Sequence, residues 1–349
     1  MKICLINNLL PPYNRGGAEK VVMAMATDLK ATNEVFFITT RPTKPNLEIN
    51  NDFKTFYLKS NYFNLPQKNI IYRLFWQISN IYSFRQYQEI LNILKTEKPD
   101  LVITHNLMGL GLMTVLAINQ FSIKHHHFLH DIQLLHPSGL MFYNQEKKLN
   151  SLPAKIYQKL SRKFLGSPDL IISPSNWLLQ EHLKRGFFPL SKTEIRPFTP
   201  VIEGEKTKQK SGPKKHLFFA GQIEKHKGII FLINAFLELA PPDFTLKIAG
   251  TGHLLKTAQK IANNDKRITF LGKLDKKTLK IEMANSDLLI VPSSCYENSP
   301  LIISEARALN LPVVASRIGG IPEAIGTNDK LFTPLSKNDL FAKIQEFNQ

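Results

Sequence analysis

The sequence predicts an α/β protein made of two domains, each built on a parallel sheet. Short apolar runs alternate along the whole chain with longer segments of helical periodicity, which is typical of strands joined by crossover helices. Several runs, such as the one at residues 288–291, are apolar throughout, as expected of strands buried on both faces. The length of 349 residues is enough for two domains of ordinary size, each with its own core.

A glycine pair marks the first strand-to-helix turn. An apolar run at residues 3–7 precedes Gly16 and Gly17, and apolar side chains recur at helical spacing from Ala18 to Leu29. We therefore predict a strand, a turn and a helix in that order. Further strands are predicted at residues 35–39, 53–58, 101–104, 126–130, 170–173, 217–220, 246–249, 268–271, 288–291 and 312–315.

The boundary between the domains is predicted in a polar stretch. Between Pro197 and Lys215 the composition changes to lysine-rich and polar residues with glycine and proline, which indicates a linker and a loop. We predict a first domain at residues 1–197 and a second at 198–349. Ligands of such sheets bind beyond the carboxyl ends of the strands, so the chemistry is expected in the cleft between the domains.

Charge and cysteine content limit the class of protein. Lysine and arginine number 45 against 28 aspartate and glutamate, a formal net charge of +17, which indicates acidic partners such as nucleotide phosphates, anionic lipid or nucleic acid. No nucleic-acid motif accompanies this charge, so nucleic acid is the least favoured partner. Cys4 and Cys295 have neither zinc-site spacing nor a disulfide pattern, and we expect buried thiols in a reducing compartment.

The apolar segments predict no membrane insertion. The amino-terminal run MKICLINN carries one basic residue and leads directly into a loop, which indicates a strand and not a secretory signal. The run LVITHNLMGLGLMTVLAI has a borderline length for a membrane span, but His105, Asn106 and two glycines interrupt it. A strand, a glycine turn and a helix fit it better. We expect a cytoplasmic protein without a transmembrane helix.

Two glutamates flank a predicted helix start in the segment ENSPLIISE. Serine is a favoured N-cap and proline is favoured at the first helical position, so the helix is predicted to begin at Ser299 or Pro300. Glu297 then lies in the loop at the helix mouth, and Glu305 lies on the second turn, facing the same cleft. The mouth presents backbone amides and the positive end of the helix dipole, which attract an anion such as a phosphate.

A lysine and a histidine are the other candidate chemical groups. Lys227 precedes a predicted helix start after the run LFFAG, where it is either a solvated loop residue or a donor to a diphosphate, at about 1.5 to 3 kcal/mol per charge-assisted hydrogen bond. No Asp-x-Asp metal motif occurs in the sequence, which favours fixed donors over a metal. His130 ends a predicted strand. The adjacent histidines at 125–127 alternate in direction along that strand, so no metal site is predicted.

These motifs, in this order, resemble those of glycosyltransferase family 4. The Glu297 and Glu305 pair is similar to the family's Glu-x7-Glu signature, PPYNRGGAEKVV to its glycine-rich loop, FLHD to its mid-chain histidine motif and FAGQIEKHKG to its basic phosphate motif. IAGTG, FLG and SDLLIVPS follow in the family's order, and the similarity covers nearly the whole chain. The resemblance implies the GT-B fold, with two Rossmann-like domains, and sugar transfer from a nucleoside diphosphate donor with retention of configuration and no further cofactor.

The resemblance also implies roles for individual residues. It places Glu297, His130 and Lys227 in the catalytic set. It assigns the ribose hydroxyls to Glu305, because a carboxylate only accepts hydrogen bonds. The implied acceptor-binding residues are Gly16, Gly17 and Asp131. The implied donor-binding residues are Gly17, Gln222, Lys227, Asn298, Ser299, Pro300, Leu301 and Glu305.

Two departures from the family's pattern leave alternatives open. Gln222 stands where members commonly have arginine, and glutamine donates hydrogen bonds without a charge, so Lys225 or Arg15 is a candidate to replace it. The sequence also ends where members usually continue with a helix that crosses back to the first domain. A non-catalytic partner subunit is therefore one alternative. A nucleotide-sugar 2-epimerase, a class that shares the two-domain architecture, is the other, although the glutamate pair favours the transferase.

An aromatic and basic segment at residues 59–98 is a candidate membrane surface. Its basic residues alternate with tyrosine, phenylalanine and tryptophan, and a second basic helical face is predicted at 155–163. The alternative is that the aromatic side of this helix belongs to the core. On the membrane interpretation, the protein is peripheral on an anionic inner membrane face, and the acceptor is a glycan or a lipid-linked intermediate.

Overall fold

The computed structural model describes residues 1–13, 16–44, 52–198 and 215–347. The chain divides into two compact units, the first formed by Met1–Gly139 and Lys147–Arg196 and the second by Leu140–Glu146 and Pro197–Gln349. The second unit therefore contains a short segment from the first half of the sequence, which the sequence pattern did not indicate. The division of roles between residues 1–197 and 198–349 stays a prediction.

The first unit is a parallel sheet with crossover helices. Its elements are β1 (Lys2–Ile6), α1 (Gly17–Lys30), β2 (Glu34–Arg41), β3 (Lys54–Lys59), α2 (Ile70–Ile81), α3 (Phe84–Glu97), β4 (Leu101–Thr104), α4 (Thr114–Gln120), β5 (Lys124–Phe128), α5 (Leu152–Leu165), β6 (Leu170–Ser173), α6 (Asn176–Leu183) and β7 (Lys192–Ile195). The seven described strands lie in the order β3-β2-β1-β4-β5-β6-β7, all paired in parallel. The strand order reverses beside β1 and β4, and such a switch point is where open α/β sheets bind ligands.

The second unit repeats this architecture. Its further elements are β8 (Lys215–Ala220), α7 (Ile229–Leu239), β9 (Phe244–Ala249), α8 (Leu255–Ala262), β10 (Ile268–Gly272), α9 (Lys276–Ala284), β11 (Leu288–Val291), α10 (Leu301–Ala308), β12 (Val313–Ser316), α11 (Ile321–Ala324), β13 (Lys330–Phe332) and α12 (Lys337–Gln345). Six described strands lie in the order β10-β9-β8-β11-β12-β13, again in parallel. The switch point lies between β8 and β11. Apolar clusters cover both faces of this sheet, which explains its continuous apolar strands.

Strand positions follow the apolar runs, with two informative differences. Strands β4, β6 and β11 have the predicted bounds residue for residue. The strand predicted at 126–130 is wrong by two residues, because β5 begins at polar Lys124, which pairs with Leu101, and ends at Phe128. His130 therefore lies beyond the strand end. Strand β7 was not predicted because its sequence, KTEI, is polar and largely exposed at the sheet edge.

The helix after Glu297 begins later than predicted. Pro300 occupies the N-cap position of α10, with φ −61° and ψ 117°, and its carbonyl accepts the Ile303 N–H at 3.0 Å. Ser299 thus lies outside the cap, and α10 has no side-chain cap hydrogen bond. Glu305 is on the second turn, as predicted. The extended ψ of Pro300 explains the difference, since a first helical residue needs a helical ψ.

The other predictions on burial and membrane insertion have clear outcomes. Cys4 and Cys295 are both buried, at 0% and 1% exposure, and neither forms a disulfide. The apolar run from Leu101 is a strand, a glycine turn and a helix, with Gly109 and Gly111 at φ +91° and +89°. Among the described residues, no helix combines the length and apolar character that crossing a bilayer requires.

Candidate active site

In the second unit, the loops after β8 and β11 are bonded to each other. These two strands are parallel neighbours, so their carboxyl ends lie at the same edge of the sheet. The backbone N–H of Ser294 donates to the His226 carbonyl at 3.0 Å, and the Ser294 hydroxyl donates to the Lys225 carbonyl at 2.8 Å. These bonds hold the turn at Lys225–Lys227 against the segment that leads to Glu297.

Lys227 and Glu297 form an ion pair at this edge. The Lys227 Nζ lies 2.6 Å from Glu297 Oε2, and the Ser293 hydroxyl donates to the other carboxylate oxygen, Oε1. The two charged side chains are only 27% and 13% exposed. The resemblance gave the two residues separate roles, and the structure brings them together. Ser293 was not predicted, although a serine two residues after an apolar strand is a signal that could have identified it.

Both members of this pair remain charged. Burial alone raises the pKa of Glu297, but the Lys227 ammonium and the Ser293 hydroxyl outweigh it and leave the pKa below its usual value. Burial alone lowers the pKa of Lys227, and the Glu297 carboxylate outweighs that effect and raises it. An ammonium group carries three N–H donors, so Lys227 can bond Glu297 and an incoming phosphate together.

Gly228 and Gly319 allow the backbone to approach this pair closely. Gly228 has φ +72°, and a Cβ on it would lie 1.8 Å from the Pro292 carbonyl oxygen. A Cβ on Gly319, at φ +62°, would lie 2.3 Å from the Glu297 carbonyl oxygen, which also accepts the Gly320 N–H at 2.7 Å. Only glycine fits at either position, so the chain on both sides of the ion pair is fixed by backbone contacts.

The mouth of α10 contains the other predicted donor residues. Asn298 and Ser299 form the bend between Glu297 and the helix, Pro300 is buried at its cap, and Leu301 is its first residue. The Ile303 N–H of this first turn is bonded to the Pro300 carbonyl, and the amides before it lie at the positive end of the helix dipole, where an anion can bind. Glu305, on the next turn, is partly buried. The binding of one ligand by both Glu297 and Glu305 stays a prediction.

Gln222 and the basic residues that could replace the family's arginine have different surroundings. Gln222 is exposed just after β8. The Lys225 ammonium lies 5.5 Å from the ring centroid of Phe142, a cation–π distance, so its charge is directed to an aromatic ring. Arg15, the other substitute, lies outside the described residues. The structure thus assigns the buried positive charge of this cluster to Lys227.

The segment Leu140–Glu146 packs beside the ion pair. Phe142 forms an antiparallel bridge with Cys295, and Tyr296 donates its N–H to the Met141 carbonyl at 2.8 Å. The Tyr296 hydroxyl donates to Glu146 Oε1 at 2.7 Å. These contacts hold the chain just before Glu297. They join residues more than 140 positions apart, so no local sequence pattern indicates them.

In the first unit, the glycine loop is closed by a carboxylate. Gly16 is the N-cap of α1, and the Glu19 Oε2 accepts its N–H at 2.9 Å, which is the glutamate half of a capping box. Gly16 has φ −152°, so the positive φ that glycine permits is not used there. Gly17 is the first residue of α1. The predicted phosphate or acceptor role of this pair stays a prediction.

A buried histidine pair follows the switch point of the first sheet. His105 follows β4, His130 lies two residues beyond β5, and His105 Nδ1 is 2.9 Å from His130 Nε2. Burial lowers the pKa of His130 to about 4 and lowers that of His105, so both rings are neutral at pH 7. Burial raises the pKa of the neighbouring Asp131 carboxyl to about 6, against the Gln133 N–H bonded to it at 2.6 Å. His105 was named only as an interruption in an apolar run.

The histidines on β5 are held by a threonine and not by a metal-type cluster. The Thr104 hydroxyl is 2.7 Å from His125 Nε2 and 2.8 Å from His127 Nδ1. His126 points to the other face, as the alternation of a strand requires. In the described part of the chain, no three His, Cys, Asp or Glu side chains are arranged to hold a metal ion.

Comparison with known proteins identifies the chain. A family model described as Glycosyltransferase Family 4 matches residues 15–197, and one described as Glycosyl transferases group 1 matches residues 214–348. An uncharacterized 42.6 kDa protein in the cps region of Klebsiella pneumoniae is 27% identical over 334 residues, which cover 93% of this chain and 87% of that protein.

Two solved structures share the fold. Sucrose-phosphate synthase from Thermosynechococcus elongatus has a TM-score of 0.71 at 19% identity, over 99% of this chain and 89% of that one. The Anabaena protein HepE, solved in complex with UDP, has a TM-score of 0.68 at 18% identity, over 99% and 89%. The two parallel sheets and these neighbours define the GT-B fold. The chain belongs to glycosyltransferase family 4.

Proposed function

We propose that this glycosyltransferase moves a hexose or related sugar from a nucleoside diphosphate donor to a glycan or lipid-linked acceptor, with retention of configuration. The observation that carries the proposal is the Lys227–Glu297 pair beside the mouth of α10. A departing diphosphate develops negative charge, and an ammonium group with helix-terminal amides is a fixed set of donors for it. The UDP named with HepE supports a nucleotide donor.

The described residues fit definite roles in this reaction. Lys227 and the backbone N–H groups of Asn298, Ser299 and Leu301 bind the diphosphate. Glu297 accepts from a hydroxyl of the donor sugar, and Glu305 accepts from the ribose diol. His130 binds a sugar hydroxyl. We propose no metal and no cofactor besides the donor, and sugar-nucleotide cleavage that persists in a chelator supports this part of the proposal.

The pathway we propose is the synthesis of a cell-surface polysaccharide or lipopolysaccharide. The relative encoded in a cps region of Klebsiella pneumoniae supports a polysaccharide product. A lipid-linked acceptor would bring the enzyme to a membrane, which the surface of the first unit supports below. The proposed localisation is cytoplasmic, peripheral on the inner membrane face.

The ribose contact predicts how nucleotides stabilise the protein. UDP, GDP or ADP should raise the midpoint of thermal unfolding, because a ligand that binds only the folded state stabilises it. Glu305→Ala should weaken binding of the stabilising nucleotide about tenfold to a hundredfold, since a hydrogen bond to a charged group contributes about 1.5 to 3 kcal/mol. The 2′,3′-dideoxy nucleotide should bind wild type as weakly as it binds Glu305→Ala.

A glutamate away from the site is the control for this test. Glu238→Ala removes an exposed carboxylate that pairs with Lys337, and it should leave nucleotide affinity unchanged. If Glu305→Ala binds the dideoxy nucleotide tenfold or more weakly than wild type binds it, Glu305 does not act through the ribose hydroxyls and the assignment is wrong. If no nucleotide stabilises the wild type, the result favours a non-catalytic partner subunit. If the protein releases nucleoside diphosphate without any glycan acceptor, the result favours the epimerase.

An exposed apolar row on α2 supports a membrane-bound acceptor. Ile71, Phe75, Ile78 and Tyr82 are 63%, 69%, 58% and 50% exposed, and their spacing places them on one face of the helix. Trp76 on the same helix is instead half-buried, with its ring 5.9 Å from that of Tyr62, so the core alternative applies to that part of the aromatic side. Apolar side chains exposed together in this way mark an interaction surface.

Basic residues accompany this row. The Tyr82 ring packs on Phe164 of α5 at 5.4 Å, so α5 lies beside the end of α2. Exposed lysines on α5 recur at positions 155, 159 and 163, and Ile156 on the same helix is 54% exposed. Each cation near an anionic bilayer contributes about 1 kcal/mol. The combination fits an anionic lipid surface.

Substitution of the apolar row should release the protein from vesicles. Phe75→Ser with Ile78→Ser should lower binding to phosphatidylglycerol vesicles tenfold or more in a flotation assay, because each large apolar side chain contributes about 1.5 to 3 kcal/mol when buried. Leu190→Ser is the matched control, since Leu190 is 88% exposed in the same unit. Equal binding by all three proteins would exclude α2 as the docking face.

A further inference from the structure

His105 carries a buried ring nitrogen without a hydrogen-bond partner. The residue is 1% exposed, and its backbone N–H donates to the Ile6 carbonyl at 2.8 Å, which fixes it to the sheet. Its Nδ1 meets His130, whereas its Nε2 has no partner among the described residues. Buried polar atoms are almost always paired, so this nitrogen needs an explanation.

The ring has little freedom to turn this nitrogen elsewhere. The His105 ring packs against Phe128, with centroids 5.6 Å apart, and Phe128 also stacks on His130 at 4.9 Å. His105 and His130 are themselves 5.1 Å apart. The three rings therefore support one another, and the direction of the His105 nitrogens is set before any ligand arrives.

His105 lines a small cavity together with His130 and Asp131. The cavity has a volume of about 20 Å³, enough for one water-sized group, and Asn106 and Gln133 also line it. A sugar hydroxyl has this size. It can both donate and accept, so it can bond an imidazole nitrogen in either tautomer.

We propose that His105 binds a sugar hydroxyl through Nε2 and sets the tautomer of His130 through Nδ1. The proposal rests on the proposed function, because a sugar hydroxyl is a group that a glycosyltransferase substrate supplies. It adds His105 as a binding and positioning residue that the motif pattern did not identify.

The shared hydrogen bond couples the two rings. In a neutral pair, either His105 Nδ1 donates to His130 Nε2 or the reverse. In the first case His105 Nε2 is an acceptor and His130 Nδ1 carries a proton. In the second case His105 Nε2 carries a proton and His130 Nδ1 is an acceptor. A hydroxyl that donates to His105 Nε2 therefore makes His130 Nδ1 a donor. The group bound to His105 therefore determines whether His130 Nδ1 is a donor or an acceptor.

Amide replacements separate the two functions of the ring. Asparagine places a polar atom near the position of Nδ1, and glutamine places one near that of Nε2. His105→Asn should keep the His130 contact and raise the KM for the sugar substrate about tenfold, with a smaller change in kcat. His105→Gln should keep the hydroxyl contact and lower kcat. His105→Phe keeps the ring packing, lacks both nitrogens and should lower kcat/KM the most.

His125→Gln is the matched control. His125 is equally buried, at 3% exposure, bonds Thr104 through Nε2 and does not line the cavity. Its kcat/KM should stay within twofold of wild type. Deoxy analogues of donor and acceptor then identify the hydroxyl. With wild type, the analogue that lacks this hydroxyl should have a tenfold lower kcat/KM than the complete substrate. With His105→Asn, the analogue and the complete substrate should have the same kcat/KM.

Ring ¹⁵N shifts test the coupling without turnover. The His130 tautomer, read in the ligand-free protein by ¹H–¹⁵N correlation, should change in His105→Phe and persist in His105→Asn. Unchanged His130 shifts in His105→Phe, or kcat/KM within twofold of wild type in both His105→Phe and His105→Asn, would overturn the proposal. A wild type that cleaves no nucleotide sugar refutes the transferase assignment instead, while the ¹⁵N shifts still decide on the coupling. Unfolding midpoints near that of wild type establish that each variant is folded.

Discussion

A Lys227→Met variant is expected to release nucleoside diphosphate about 10²-fold to 10³-fold more slowly than wild type, with a smaller effect on KM. Removal of one preorganised donor to a developing charge has an effect of this size on kcat. Methionine keeps an unbranched chain as far as Cε, with sulfur in place of Cδ, and lacks the ammonium group, which in this structure lies 2.6 Å from Glu297. Steady-state measurement of nucleoside diphosphate release gives both constants.

The same substitution should destabilise the fold. Glu297 would keep a largely buried carboxylate without its cation, and breaking a buried pair in this way costs about 3 kcal/mol. Loss of activity in Lys227→Met could then arise from either cause. The change in the free energy of unfolding, measured by denaturant titration, separates the two.

The double variant Lys227→Met with Glu297→Gln resolves this ambiguity. It removes both charges and keeps both shapes, so it should recover most of the lost stability, because a buried pair replaced as a whole is often neutral in stability. Activity should stay at the level of Lys227→Met or below it. Recovered turnover in the double variant would instead mean that Lys227 serves only to neutralise Glu297.

This ion pair also marks the limit of what the sequence could predict. The pattern around Lys227 and the pattern around Glu297 were each recognisable, because glycine, helix-start and strand signals are local. Their contact was not, since it depends on β8 and β11 being neighbours, which no local pattern contains. The sequence therefore predicted which residues belong to the site but not which of them contact each other.

The same distinction holds in the first unit. The apolar run of β4 was predicted residue for residue, because a strand buried on both faces is apolar throughout. The start of β5 was not, because Lys124 and the histidines after it look polar although His125 and His127 are buried on Thr104. Burial of polar residues by side-chain hydrogen bonds has no periodicity to detect, and the His105 contact went unnoticed for that reason.

Gly228→Ala should strongly destabilise the fold, although it adds only one methyl group. Its Cβ would meet the Pro292 carbonyl oxygen at 1.8 Å, so the two backbones must separate by more than 1 Å. That shift would break the bonds from Ser294 to the Lys225–Lys227 turn. We expect a loss of more than about 4 kcal/mol, the range of the most damaging single substitutions, and a fall of about 10 °C or more in the unfolding midpoint.

Gly272→Ala separates this close approach from simple backbone strain. Gly272 has nearly the same φ, +68° against +72°, but a Cβ on it would meet nothing within 4 Å. Its substitution should therefore cost only the strain of a left-handed residue, about 1 to 2 kcal/mol. A comparable loss in the two variants would mean that the turn tolerates displacement from Pro292. In that case the position of Lys227 would depend on the Glu297 ion pair and not on the backbone contact at Gly228.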